Sequence, residues 1–170
     1  EDDHLGNFNA LCRNQVVTSE DKPARGGSYG LGKAVLWGFS SISTVMFSSR
    51  IHTDGVENGF RLFGRAELAH HETKSGQWSG QGWFGRRQCT GRGERAVSLW
   101  GDTAESIARR ASLFRPAQLG NGTTILILGF QEPDQEHYRS VEEISADITR
   151  STVKWFWPGI HYMERRLNVT

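Results

Sequence analysis

The chain has 170 residues, with 20 Lys and Arg against 19 Asp and Glu, a formal net charge of +1, and two cysteines, Cys12 and Cys89, far apart in sequence. That length predicts one domain with one respectable core, and the near-zero charge gives no global field toward nucleic acid or anionic lipid. Two isolated cysteines form neither a zinc pattern nor a disulfide framework; no apolar stretch approaches the roughly 20 residues that cross a bilayer, and no signal-peptide layout opens the chain, so the expected setting is cytoplasmic and reducing.

In chain order, "NFNALCR" predicts a weak helix from about Phe8 to Arg13, and "NQVVTSEDKPARGG" with Pro23 reads as a mobile connection. "KAVLWGFSS" predicts a short, largely buried helix that starts at a glycine-rich turn. "STVMFSSRI", Ser43 to Ile51, is rich in β-branched and aromatic residues and reads as a buried strand. The Asp54-Gly55 and Asn58-Gly59 pairs signal a turn. "FRLFGRAELA" then alternates, with Phe60, Leu62, Gly64, Ala66 and Leu68 on one side and Arg61, Phe63, Arg65 and Glu67 on the other, which makes an antiparallel hairpin the natural reading.

From His70 to Gly93 the chain is rich in Gly, Ser, Gln and Arg, and reads as a long loop or insertion, at about 70–95, anchored by Trp78, Trp83 and Phe84. "GDTAESIARRASLF" predicts a helix with Asp102 as N-cap and Glu105 completing a capping box, and with Ala104, Ile107, Ala108 and Ala111 on one face. A strongly apolar strand follows from Thr123 to Phe130. A second helix is predicted from near Ser140, again with Glu143 at the capping position, its face formed by Val141, Ile144, Ile148, Thr152, Trp155 and Phe156 until Pro158 ends or disrupts it. "RRLNVT" reads as the start of another strand. The order of elements predicts an α/β fold: a two-layer sandwich of a mixed, mostly antiparallel sheet with helices on one face.

The chemistry-bearing stretch is "GGSYGLGK", Gly26 to Lys33. Read from Gly27, its spacing nearly matches the phosphate loop Gly-x-x-x-x-Gly-Lys-[Ser/Thr], but two requirements of that loop fail. Ala34 stands where the magnesium-binding hydroxyl belongs, and "TSEDKPAR" is no core strand. A glycine-rich turn opening a helix still offers unpaired amides and the positive end of the helix dipole to an anion, and glycine lets the backbone approach closely.

Gly27, Gly30 and Gly32 in the pattern Gly-x-x-Gly-x-Gly, followed by "TVMFSSRI" and much later by Gly122-Thr123 in "GTTILIL", resemble the second half of a GHKL ATPase. This superfamily comprises gyrase B, the heat-shock-90 chaperones, histidine kinases and MutL. "GGSYGLGK" and the later "WFWPGI" are similar in particular to a bacterial group of GHKL-type ATP-binding proteins of poorly known role. The resemblance extends from about Phe8 and implies a partial Bergerat fold. Residues 1–26 would be a remnant of the ATP lid, 27–135 the C-terminal part of the ATP-binding domain, and 136–170 a helix with the start of a following element.

The resemblance implies that backbone amides along Gly27, Ser28, Tyr29, Gly30, Leu31 and Gly32 wrap the ATP phosphates. Thr123, after Gly122, would approach the adenine edge. Lys33 stands where most of the superfamily has no lysine, and both phosphate contact and a solvent-pointing side chain fit it. The superfamily's Glu base, its Asn that holds magnesium, and its Asp-x-Gly-x-Gly box have no counterpart in the chain. The polar start at Glu1, without Met, and the end at "RRLNVT" accordingly suggest a piece of a longer protein. ATP with magnesium, flanking domains and homodimerisation are the partners this implies, and the isolated piece is expected neither to hydrolyse ATP nor to hold it tightly.

A second class of reading is a non-catalytic interaction module that uses its helices and tryptophans on a protein or nucleic-acid partner. Trp155 to Trp157 could mark a docking patch, and the aromatic, basic stretch from Trp78 to Arg95 could contact nucleic acid. Core packing and a solvated insertion account for the same residues. Glu67, His70, His71 and Glu72, with His52 nearby, read as a polar strand end, because adjacent histidines on a strand point to opposite faces.

Overall fold

A computed structural model describes residues 8–13, 31–52, 59–91, 93–133 and 139–161. The chain divides into two compact units, residues 1–133 and 134–170. The first opens with a single π-helical turn, Asn9–Arg13, and resumes with a 3-10 turn, Leu31–Lys33, that leads into α1, Ala34–Gly38. Next come β1 (Ser40–Arg50), β2 (Phe60–Glu67), β3 (His71–Thr73), β4 (Gly76–Trp78), β5 (Gln81–Phe84), β6 (Arg86–Thr90), β7 (Gly93–Val97) and β8 (Leu99–Trp100). Helix α2 (Gly101–Arg110) and β9 (Gly122–Phe130) complete the unit, and α3 (Val141–His161) forms the second.

The main sheet runs β5-β2-β1-β9, with β8 also on β2, and every pairing in it is antiparallel. The β1–β2 hairpin has the expected form, Arg50 opposite Phe60 and Thr44 opposite Ala66. Its turn residues 53–58 lie outside the described residues. The predicted 70–95 loop is instead mostly strand: β3 pairs β4, β5 extends the sheet, and β6 pairs β7. Its polar, glycine-rich composition fits strands with few buried faces, which the patterns of buried apolar residues cannot signal.

The core explains why the sheet is covered on both sides. Met46, Phe60 and Leu62 pack with Ala104, Ala108 and Leu113 of α2 and its following loop, while Ile107 and Ala111 flank this cluster as the helical face predicts. Ser48 on the same face donates to the Leu113 carbonyl. On the opposite face Val45, Phe47 and Phe63 pack with Cys12 and Trp37. The expectation of helices on one face is therefore corrected: α2 covers one side of the hairpin, and the π turn and α1 cover the other. Only Trp37 of α1 is buried, so that helix is less enclosed than its apolar sequence suggests.

The helix termini divide. Trp100, not Asp102, occupies the cap position of α2, without a side-chain cap bond, and Glu105 turns to Arg109 at 2.7 Å and toward Arg50 at 3.8 Å. At α3 the capping box forms as predicted: Ser140 N–H donates to Glu143 Oε2 at 2.8 Å, and Glu143 N–H to Ser140 Oγ at 3.2 Å. Helix α3 continues through Pro158 to His161. Arg139 and Arg150 both bind Asp147, and the hydrogen bond from Arg139 holds its carboxyl below the ordinary value. No α3 residue is buried, and Trp155, Phe156 and Trp157 are exposed within this unit.

Candidate functional site

Of the glycine-loop residues, Gly27, Ser28, Tyr29 and Gly30 lie outside the described residues. Leu31, Gly32 and Lys33 form the 3-10 turn at the head of α1. A Cβ built on Gly32 meets nothing within 4 Å, so no packing contact among the described residues requires glycine there. The Lys33 ammonium donates to the carbonyl of Ala10 in the π turn. Burial, followed by the neighbouring Arg65 cation, pushes its pKa down. The lysine thus ties two segments of one sheet face together. It is neither a freely solvated side chain nor one aimed solely at a ligand.

Gly122 and Thr123 open β9, opposite Arg50 and Ser49 of β1. A Cβ on Gly122 would lie 2.7 to 2.9 Å from the guanidinium atoms of Arg115. That guanidinium is held over the glycine by bonds to the carbonyls of Gly120 at 3.0 Å and Leu119 at 2.8 Å. A side chain at this position would have to displace that guanidinium, the flexible end of Arg115. Thr123 Oγ1 lies 2.9 Å from Ser49 Oγ and is exposed. Strand alternation puts Ser49 on the side of Val45 and Phe47, the side that α1 covers. The head of the glycine-led helix and the Gly-Thr hydroxyl therefore belong to the same face of the sheet, although about ninety positions separate them in sequence.

That face carries a cluster of cations that sequence reading did not assemble. Arg65 is 1 % exposed. It donates to the Arg13 carbonyl at 2.7 Å, pairs with Glu67 at 2.8 Å, and lies over the rings of Trp37 and Trp83 at 5.5 and 5.1 Å. Arg61 donates to Ser98 Oγ at 2.8 Å and sits over Phe8 and Trp100. Arg13 lies over Phe63 at 4.8 Å and donates to the Ala96 carbonyl. Between them, burial pushes the Cys12 thiol up to about 12, against the opposing pull of Arg61, Arg13, Lys33 and Arg65. The available signal was the interleaving of Arg61, Phe63 and Arg65, which reads as a solvent face until aromatic rings are found covering it.

His70, His71 and Glu72 are exposed, and the ring of His71 turns to the Ala69 carbonyl at 3.2 Å. Among the described residues no three His, Cys, Asp or Glu side chains converge to hold a metal ion. No described helix is long and apolar enough to cross a membrane. The chain matches no family model, no curated protein and no solved structure.

Proposed function

We propose that the chain is the C-terminal part of a GHKL-type ATP-binding domain with a partial Bergerat fold, in which ATP binding and hydrolysis drive a conformational change of the intact protein. The observation that carries the reading is the shared sheet face of Thr123 and α1, the helix into which "GGSYGLGK" leads. An exposed hydroxyl at the head of β9 suits the edge of a nucleobase, directly or through water. Gly32, open on its Cβ side, leaves room for a phosphate beside the backbone. Helix α1 has only five residues, so its dipole adds little, and phosphate binding on this reading rests on the amides from Gly27 to Gly32 with charge from nearby cations. ATP would supply the phosphoanhydride. Magnesium would neutralise its oxygens on ligands other than the described residues, which form no carboxylate or imidazole cluster.

The test is a non-hydrolysable ATP analogue titrated into a longer protein that includes the segment upstream of Glu1. Amide shifts centred on Gly32, Gly122 and Thr123 support the reading, and their absence rejects it. Gly32→Ala sharpens the result: the open space predicts an unchanged fold, so an affinity loss of about tenfold or more reports backbone approach to phosphate. A second reading, a non-catalytic interaction module, is favoured by the exposed Trp155, Phe156 and Trp157 of α3. It predicts no analogue binding by the longer protein.

A further inference from the structure

One cleft of the first unit lies between the π turn, β5 and the β6–β7 hairpin. It encloses about 430 Å³ and is lined by Arg13, Trp83, Arg87, Glu94 and Arg95. The π turn supplies the first of these, β5 the indole, and the β6–β7 hairpin the other three. A space of this size holds a small-molecule ligand. Its lining sets three guanidiniums against one carboxylate.

One of the cleft's charges is held by a partner that an anion can replace. Arg87 pairs with Glu94 across the hairpin, with side chains 74 % and 50 % exposed. An ion pair so open to water is worth little. Arg95 Nε donates to the neutral amide oxygen of Gln88 at 2.9 Å. A phosphate is a stronger acceptor than an amide and matches the planar fork of arginine with two oxygens. Trp83, by contrast, is fixed in place. Phe63 packs against it at 5.8 Å, Arg65 lies 5.1 Å from its ring and Arg13 5.9 Å, yet 38 % of it remains exposed. It is a rigid aromatic platform beside guanidiniums, the combination that stacks a nucleobase and holds its phosphate.

We propose that this cleft binds a nucleotide unit, its base against Trp83 and its phosphate on Arg87 and Arg95, with Glu94 as the competing internal anion that the phosphate displaces. The proposal does not depend on the ATP reading. The chemistry is shared by a free mononucleotide and by one residue of a single strand.

The experiment titrates the 170-residue chain with three probes: thymidine monophosphate, an oligothymidylate of about eight nucleotides, and inorganic tripolyphosphate. Binding is followed by fluorescence and amide shifts. The expected result is binding of the nucleotide probes that Trp83→Ala weakens about tenfold and Trp83→Phe partly restores. Arg87→Ala with Arg95→Ala weakens it further and lowers the salt slope by about 0.7 for each phosphate-contacting cation removed. Glu94→Gln tightens it, because a competing carboxylate is gone. Monophosphate binding not improved by the oligomer identifies a free nucleotide as the source, and tighter oligomer binding identifies a strand. Tripolyphosphate binding as tightly as the nucleotides, with no effect of Trp83→Ala, overturns the proposal, as does failure of both nucleotide probes to bind. Shifts at Gly32 and Thr123 that are insensitive to Arg87→Ala would place a nucleotide at the glycine loop and also overturn the cleft assignment, while supporting the ATP reading.

Discussion

Strand β2 and the β6–β7 hairpin are both written as arginines among apolar residues, "FRLFGRAE" against "RRQCT" and "GERAV", yet their guanidiniums do opposite things. In β2, Arg65 is 1 % exposed and spends its charge on a carbonyl, one carboxylate and two indoles, while Arg87 of the hairpin is 74 % exposed on an ion pair open to water. The difference comes from position in the sheet. Strand β2 has neighbours along both edges and cover on both faces, so any cation on it is enclosed. The hairpin is a two-stranded sheet of its own, with Arg87 in solvent and Arg95 half-buried. One set of arginines builds the fold, whereas Arg87 keeps its charge in water.

The largest blow to this contrast falls on the enclosed side. Phe60 is wholly buried between Met46, Leu62 and α2, and Phe60→Ala should cost about 3–5 kcal/mol in chemical denaturation, from lost transfer energy and a residual cavity. Next is the buried guanidinium: Arg65→Ala removes charge-assisted bonds and the filling between two indoles, for a loss of about 3 kcal/mol. Arg65→Met sharpens the point, since an apolar group of similar length should recover most of that loss if burial rather than charge is what the site requires. A Met variant as unstable as the Ala variant would assign the stabilisation to the ion pair instead.

The third effect is absent at neutral pH. The Cys12 thiol is raised from 9.0 to about 12 by burial, so the folded protein keeps its proton where the unfolded chain loses it. Its contribution to stability is complete below pH 9 and is lost as the pH rises from there toward 12. Denaturation midpoints across that range should fall, and a Cys12→Ala variant should flatten the fall. At neutral pH a thiol reagent should label exposed Cys89 well before Cys12. The smallest effect is expected at Arg87→Ala, about 0–1 kcal/mol of stability. A loss as large as that at Arg65 would erase the distinction between the two sets of arginines.

The long strongly patterned elements were legible in the sequence because their physics is local. The β1–β2 alternation, the α2 face of Ala104, Ile107, Ala108 and Ala111, and the Ser140–Glu143 capping box each follow from periodicity or from a bond three residues long. The same reasoning failed at Asp102, where the chain enters α2 directly from β8 and Glu105 is drawn to Arg109 and Arg50. It also failed across the 70–95 stretch, whose strands are held by backbone pairing with β2 and with each other and carry no apolar stripe. The candidate site was half legible: Gly122-Thr123 stands out as a motif, but the Arg115 guanidinium that lies against its glycine comes from seven residues upstream through a loop.

By itself the sequence determined which residues form the central hairpin, the α2 face and the cap of α3, since those depend on contacts within a turn or a strand period. The tertiary structure alone decided that the sheet is covered on both faces, that Lys33 holds the π turn, and that Arg65 is buried while Arg87 is exposed. These are settled by which distant segments supply aromatic rings and carbonyls, and the desolvation of a cation depends on those neighbours and not on the residues beside it in the chain.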